Sequence, residues 1–241
     1  MTPTSLLLFD IDATLLLTGG AGMRAMARAA RELFGERLTW DGIDPSGGLD
    51  PLLFSEAVAR SRLELAEDAH SRFHEKYVEI LEVELRQSRA GIRVLPGVRE
   101  LLETLRSRPD VCLGVLTGNY SRGAALKLEA AGIDPRWFSI GVFGDEGATR
   151  AALVSVALER FHATHGGPIA RERVIVIGDT PRDVEAALAH GCRVLAVATG
   201  KHGIETLLAA GATAAVADLS DPAPLLGLLE GEGFSTGFRE A

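Results

Sequence analysis

Three short segments carry the side chains best suited to chemistry. The first is Asp10-Ile11-Asp12-Ala13-Thr14, directly after the apolar run at 5–9. The second is Thr117-Gly118-Asn119, after the apolar run at 111–116. The third is Gly178-Asp179-Thr180-Pro181-Arg182-Asp183, after the β-branched run at 174–177. Each apolar run reads as a buried strand, so each polar segment sits where a strand gives out.

Asp10 and Asp12 lie two residues apart, which in extended geometry sends both carboxylates the same way. Like charges crowded together raise each other's pKa unless a cation intervenes. At an effective dielectric of about 20, two unit charges about 4 Å apart repel by roughly 4 kcal/mol. Strand ends holding Asp10, Asp12 and Asp179 together therefore call for a metal ion, and oxygen-only ligands favour magnesium over zinc. The plainer reading is that the two acids start a turn. Thr117 offers a hydroxyl, and Gly118 and Asn119 offer N–H groups at the start of a helix, which suits an anion. A simple turn and cap is the competing reading there. Asp179 and Asp183 can address one cation, although Asp183 or Thr180 can equally cap the helix that follows.

The elements that must position these groups follow from periodicity. Strands are expected at 5–9, 111–116, 139–143, 174–177, 194–197 and 214–216. Helices are expected between them, at 98–105, 121–131, 149–163, 183–189 and 204–208. Alternation of this kind means a parallel sheet covered on both faces. The stretch 19–90 breaks it. Met23, Met26, Ala27, Ala30, Leu33 and Phe34 share one helix face, and further helical patterns run over 51–65 and 69–85, with no convincing strand. An all-helical insert at the C-terminal end of the first strand lies over the edge where open α/β sheets bind ligands, so it reads as a lid. The expected division is a core of residues 1–18 and 91–241 and a cap of 19–90. The polar, Gly-rich tail from Glu230 is expected to be partly loose.

Composition narrows the function. The 241 residues are 46% hydrophobic and 24% charged, with a net charge of −8. That is ordinary for a soluble globular protein. No Lys or Arg stripe occurs, which argues against nucleic acid or an anionic membrane surface as the main partner. No window approaches the roughly 18 apolar residues of a membrane helix. Cys112 and Cys192 lie in apolar runs without ligand-like spacing and read as reduced, buried thiols of a cytoplasmic protein. The glycines of Thr18-Gly19-Gly20-Ala21-Gly22 are not a phosphate-cradling P-loop, since no Gly-Lys-Ser/Thr follows. The pairs His70/His74 and His162/His165 have no third ligand nearby and read as surface residues.

Taken together, the three segments resemble the motifs of the haloacid dehalogenase-like hydrolase superfamily. Asp10-Ile11-Asp12-Ala13-Thr14 is similar to its Asp-x-Asp-x-Thr/Val motif, Thr117 to its second, and Gly178 to Asp183 to its fourth. The helical insert resembles the cap of the phosphoglycolate-phosphatase-like branch. The resemblance implies a Rossmann-like three-layer core with strand order 3-2-1-4-5 and a small all-helical cap domain inserted after the first strand. It implies that Asp10 attacks phosphorus to form an aspartyl-phosphate, and that Asp12 protonates the leaving oxygen and then deprotonates water. It implies magnesium on Asp10, the Asp12 backbone carbonyl and Asp179, with Asp183 ligating or orienting through water. Thr117, Gly118 and Asn119 would hold the phosphoryl oxygens.

The sequence departs from that pattern twice. Ala13 stands where Gly is frequent, and a left-handed conformation there costs Ala roughly 1–2 kcal/mol. The phosphate-binding Lys before the fourth motif is missing. Lys127 is the first substitute and Arg150 the second. An Asp at position 12 favours phosphoryl transfer to water over dehalogenation. A phosphomutase stays open, and a phosphonatase would need a cap lysine, for which only the solvated Lys76 is available. Loss of Asp10, Asp12 or Asp179 would mark a non-catalytic binding module, and all three are present. The expected substrate is a small phosphorylated metabolite such as 2-phosphoglycolate, a sugar phosphate or a nucleotide, with Arg24 and the 19–22 turn as candidate contacts.

Overall fold

The computed structural model describes residues 3–231. Six parallel strands form the main sheet: β1 (Ser5–Phe9), β4 (Val111–Leu116), β5 (Ile140–Val142), β6 (Val174–Gly178), β7 (Arg193–Val197) and β8 (Ala214–Val216). Their order is β5-β4-β1-β6-β7-β8. This is the expected 3-2-1-4-5 arrangement with one more strand at an edge. The central strand β1 pairs with β4 through Phe9↔Val115 and with β6 through Phe9↔Ile177. The order reverses direction at β1, and such a switch point opens a crevice beyond the strand ends.

The pleat of β1 sorts the core into two sides. Leu7 and Phe9 pack with α4 (Val98–Arg106), part of α5 (Ser121–Ala130) and α9 (Ala223–Glu230). Leu6 and Leu8 pack with α6 (Arg150–His165), α7 (Pro181–Leu188) and α8 (Ile204–Ala209). Alternate residues of a strand face opposite ways, so five consecutive buried residues require a layer on each side. The Rossmann-like three-layer core follows directly.

The helical insert comprises α1 (Ala21–Phe34), α2 (Asp50–Arg60) and α3 (Ala69–Gln87). They share a separate apolar cluster that includes Met26, Leu53, Phe54, Phe73, Tyr77 and Leu81. Tyr120, just ahead of α5, and Leu126 within it join this cluster, so the insert is keyed to the core helix that follows the second motif. An antiparallel ribbon of β2 (Leu16–Leu17) and β3 (Arg93–Val94) ties the two crossings between insert and core together. The ribbon was not anticipated, because two-residue strands have no readable period. The helix α9 was also unanticipated. The 232–241 part of the tail lies outside the described residues. Among the described residues, no helix is long and apolar enough to cross a membrane.

Candidate active site

A cavity of about 500 Å³ lies between the sheet's C-terminal edge and the helical insert. Asp10, Asp12, Thr117, Gly118, Asn119, Lys127, Arg150 and Asp179 all line it. Every residue singled out from the three segments thus reaches one place, except that Asp183 lies just behind the wall.

The acids divide into two groups. Asp10, Asp179 and Asp183 each offer a carboxylate oxygen, and these atoms lie within 4.8 Å of one another. All three residues are buried. Burial pushes the Asp10 carboxyl up to about 6, against the Arg150 charge, with Asp183 and Asp12 adding to the rise. Burial raises Asp179 to about 8, reinforced by Asp10 and Asp183. Such a crowd of acids is what a bound cation relieves.

Asp183 caps the helix α7 and also places a carboxylate oxygen in the acid cluster. Its Oδ2 accepts from the Thr180 hydroxyl at 2.7 Å and from the Thr180 N–H at 3.0 Å, closing a capping box on α7. Its Oδ1 is buried without a hydrogen bond. Arg150 Nη2 forms ion pairs with that oxygen at 2.5 Å and with Asp10 Oδ1 at 3.1 Å, neither aligned as a hydrogen bond. The donor set is oxygen-only and buried, so it fits a hard divalent cation.

Asp12 belongs to the second group. Its Oδ2 accepts from Lys127 Nζ at 2.6 Å and from Asn119 Nδ2 at 2.8 Å. Its carboxylate is not among the clustered oxygens, and the atom the resemblance offers to a metal is its backbone carbonyl. Lys127 also donates to Asn119 Oδ1 at 2.5 Å. Burial works against the Lys127 charge, but Asp12 and Asp50 outweigh it and hold the ammonium above its ordinary value. The Thr117 hydroxyl accepts from Asn119 Nδ2 at 2.7 Å, which leaves its own proton to donate.

Both candidate cations therefore enter the site, on different acids. Lys127 faces Asp12, while Arg150, at the first position of α6, faces Asp10. Ala13 adopts φ 58°, the left-handed conformation its position in the motif suggested. Arg24 does not line the cavity. Its guanidinium is held by Glu84 at 3.0 Å, the Gly19 carbonyl at 2.6 Å and Ser88 at 2.9 Å. Gly19, Gly20 and Gly22 do line it.

The sequence reading missed the insert's polar contributions. Asp50 opens α2, donates its N–H to the Gly118 carbonyl at 2.7 Å and accepts the Tyr120 N–H at 3.0 Å. A Cβ on Gly118 would fall 1.8 Å from the Gly48 carbonyl, so only glycine lets the 45–49 loop approach this closely. His70 Nε2 lies 2.9 Å from the Tyr120 hydroxyl and His74 stacks on the Tyr120 ring at 4.2 Å. His70 is exposed as expected and His74 half-buried, and both also pack against the buried Tyr120.

A family model described as haloacid dehalogenase-like hydrolase matches residues 7–188. The chain belongs to the haloacid dehalogenase-like hydrolases. A phosphoglycolate phosphatase from Synechococcus elongatus is 34% identical over 120 residues, which are 50% of this chain and 53% of that protein. The match thus spans about half the length of that relative. Among solved structures, CbbY from Rhodobacter sphaeroides in complex with phosphate is similar at a TM-score of 0.69 and 22% identity. The likeness covers 92% of this chain and 96% of that one. A hydrolase from Pseudomonas syringae is similar at 0.67 and 24%, over 92% and 97%. At these identities the two structures show the shared fold. The Rossmann-like fold of this hydrolase family is therefore both observed and matched.

Proposed function

We propose that this hydrolase is a magnesium-dependent phosphatase that cleaves a small phosphomonoester through an aspartyl-phosphate on Asp10. The observation that carries the reading is the division of labour among the acids. One buried triad, Asp10, Asp179 and Asp183, is built for a cation, while Asp12 is held apart by Lys127 and Asn119. A dehalogenase has no leaving oxygen to protonate and so no use for that second acid.

The residues take these parts. Asp10 Oδ attacks phosphorus as the ester bond to the leaving oxygen breaks, and Asp12 gives that oxygen a proton. Asp12 then takes a proton from the water that cleaves the aspartyl-phosphate. Lys127 and Asn119 fix the direction of the Asp12 carboxylate for both steps. The Thr117 hydroxyl and the N–H groups of Gly118 and Asn119, ahead of α5, hold phosphoryl oxygens. Arg150 stands beside Asp10 and neutralises charge there. Magnesium, when bound by Asp10, Asp179, Asp183 and the Asp12 carbonyl, supplies further charge neutralisation.

Residues 19–90 act as a cap on a core of 1–18 and 91–241, with the β2–β3 ribbon as the joint. The cap closes the site against water, which strengthens each electrostatic contact inside. The likeness to a phosphoglycolate phosphatase supports a small phosphorylated metabolite as substrate. The test is release of p-nitrophenol from p-nitrophenyl phosphate, with and without magnesium, by the wild type and Asp10→Asn. Magnesium-dependent turnover that Asp10→Asn abolishes is expected. Turnover that survives the substitution in a clean preparation removes Asp10 from the mechanism.

A further inference from the structure

Tyr77 is fully buried on α3, and its hydroxyl has no hydrogen-bond partner among the described residues. It lines the cavity. A buried hydroxyl left without a partner is unfavourable, so one aimed into a cavity points to what fills the cavity. Its surroundings say what that group is. A Cβ on Gly22 would lie 3.3 Å from Lys127 Nζ and 3.9 Å from Tyr77 Oη, so both polar atoms border the space that Gly22 leaves open. Lys127 in turn holds Asp12, the proposed donor to the leaving oxygen. Tyr77 therefore borders the alcohol half of the ester.

Asp50 faces the same cavity from α2. One of its carboxylate oxygens accepts the Tyr120 N–H. Its charge is near enough to Tyr77 to help burial push the phenol's pKa well up. A phenol that donates and a carboxyl that accepts suit a hydroxyl, which can do the reverse of each. Burial lifts the Asp50 carboxyl to about 7, so near neutral pH it can accept from a substrate hydroxyl or donate to it. Met23, Met26 and Leu53 supply an apolar wall for a carbon skeleton.

We propose that Tyr77, with Asp50 across the same cavity, recognises a hydroxyl on the alcohol half of the phosphate ester, so that the enzyme selects phosphates of small polyols or sugars. This rests on the phosphatase reading. Tyr77 is a specificity residue and touches none of the reacting atoms.

The test compares glycerol 1-phosphate with n-propyl phosphate, which has the same carbon chain without the hydroxyls, on wild type and Tyr77→Phe. Phenylalanine keeps the ring beside Phe73 and Tyr120 and removes only the oxygen. The wild type should prefer glycerol 1-phosphate by about tenfold or more in kcat/KM. Tyr77→Phe should erase most of that preference through KM while leaving n-propyl phosphate within about twofold of wild type. A wild type without preference overturns the proposal, as does a variant that loses both substrates equally or neither. Those failures leave the phosphatase reading standing. Absence of turnover with both esters and with p-nitrophenyl phosphate overturns that reading and this proposal together.

Discussion

Asp179→Asn tests whether the acid triad is a metal site or a structural feature of the strand ends. In the metal-free protein, burial and the neighbouring acids lift the Asp179 carboxyl from 3.8 to about 8. The folded pKa lies above the unfolded one, so between those values the folded state binds more protons. Stability then falls as pH rises through that window. One unit corresponds to about 1.4 kcal/mol, so the span from 3.8 to neutral pH sets a ceiling of roughly 4 kcal/mol. Asp10 and Asp183 share the strain and Arg150 offsets part of it, so removing one charge should release about 1–3 kcal/mol. For a chain of this size that raises Tm by roughly 2–12 °C near pH 7. Near pH 5 the ceiling shrinks to about 1.6 kcal/mol, and the gain should shrink with it. The assay is calorimetric unfolding in chelator at both pH values, then in excess magnesium. Magnesium should raise the wild-type Tm and leave the variant nearly unmoved. A variant less stable than wild type in chelator near pH 7, or one still stabilised by magnesium, would refute the argument.

Three further outcomes follow from the same geometry. Because Asp10 and Asp179 are raised to about 6 and about 8, magnesium must displace protons, and its affinity should climb with pH across that range. Calorimetric titration in buffers of different ionisation enthalpy should show about one proton released near pH 7, and no release would contradict the raised values. Arg150→Ala should weaken inhibition by inorganic phosphate about tenfold or more, since Arg150 stands at Asp10, whereas Lys127→Ala should lower kcat more than phosphate affinity. The reverse ranking assigns the phosphate to Lys127. Ala13→Gly should raise stability by up to about 1 kcal/mol by relieving the positive φ, read as a shift in the denaturant midpoint with unchanged slope.

The sheet and its catalytic edge were legible because each depends on a local signal. Apolar runs of five or six residues ending in Asp10, Thr117 and Asp179 mark buried parallel strands and their exits, whatever else the chain does. The strand order came from the resemblance, and the extra β8 only extends it. What the sequence did not show depends on tertiary approach. Lys127 was a candidate cation from its place after the second motif, but the acid it meets, Asp12, lies 115 residues away and shows only in the folded chain. Arg150 was the second candidate, and only the fold shows that α6 and α7 bring it between Asp10 and Asp183. Asp50 and Tyr77 lie on amphipathic helices whose periodicity accounts for them as a cap and a core residue. Only the closure of α2 and α3 over the 117–119 loop makes them part of a cavity wall. The left-handed turn at Ala13 was readable only through its place in the motif.

The central claim is covalent chemistry at Asp10, and trapping tests it most directly. Protein quenched during turnover of p-nitrophenyl phosphate with magnesium and reduced with borohydride should carry homoserine at position 10, located by peptide mass spectrometry. Reduction at another carboxylate, or turnover with no reducible intermediate at Asp10, would contradict the account.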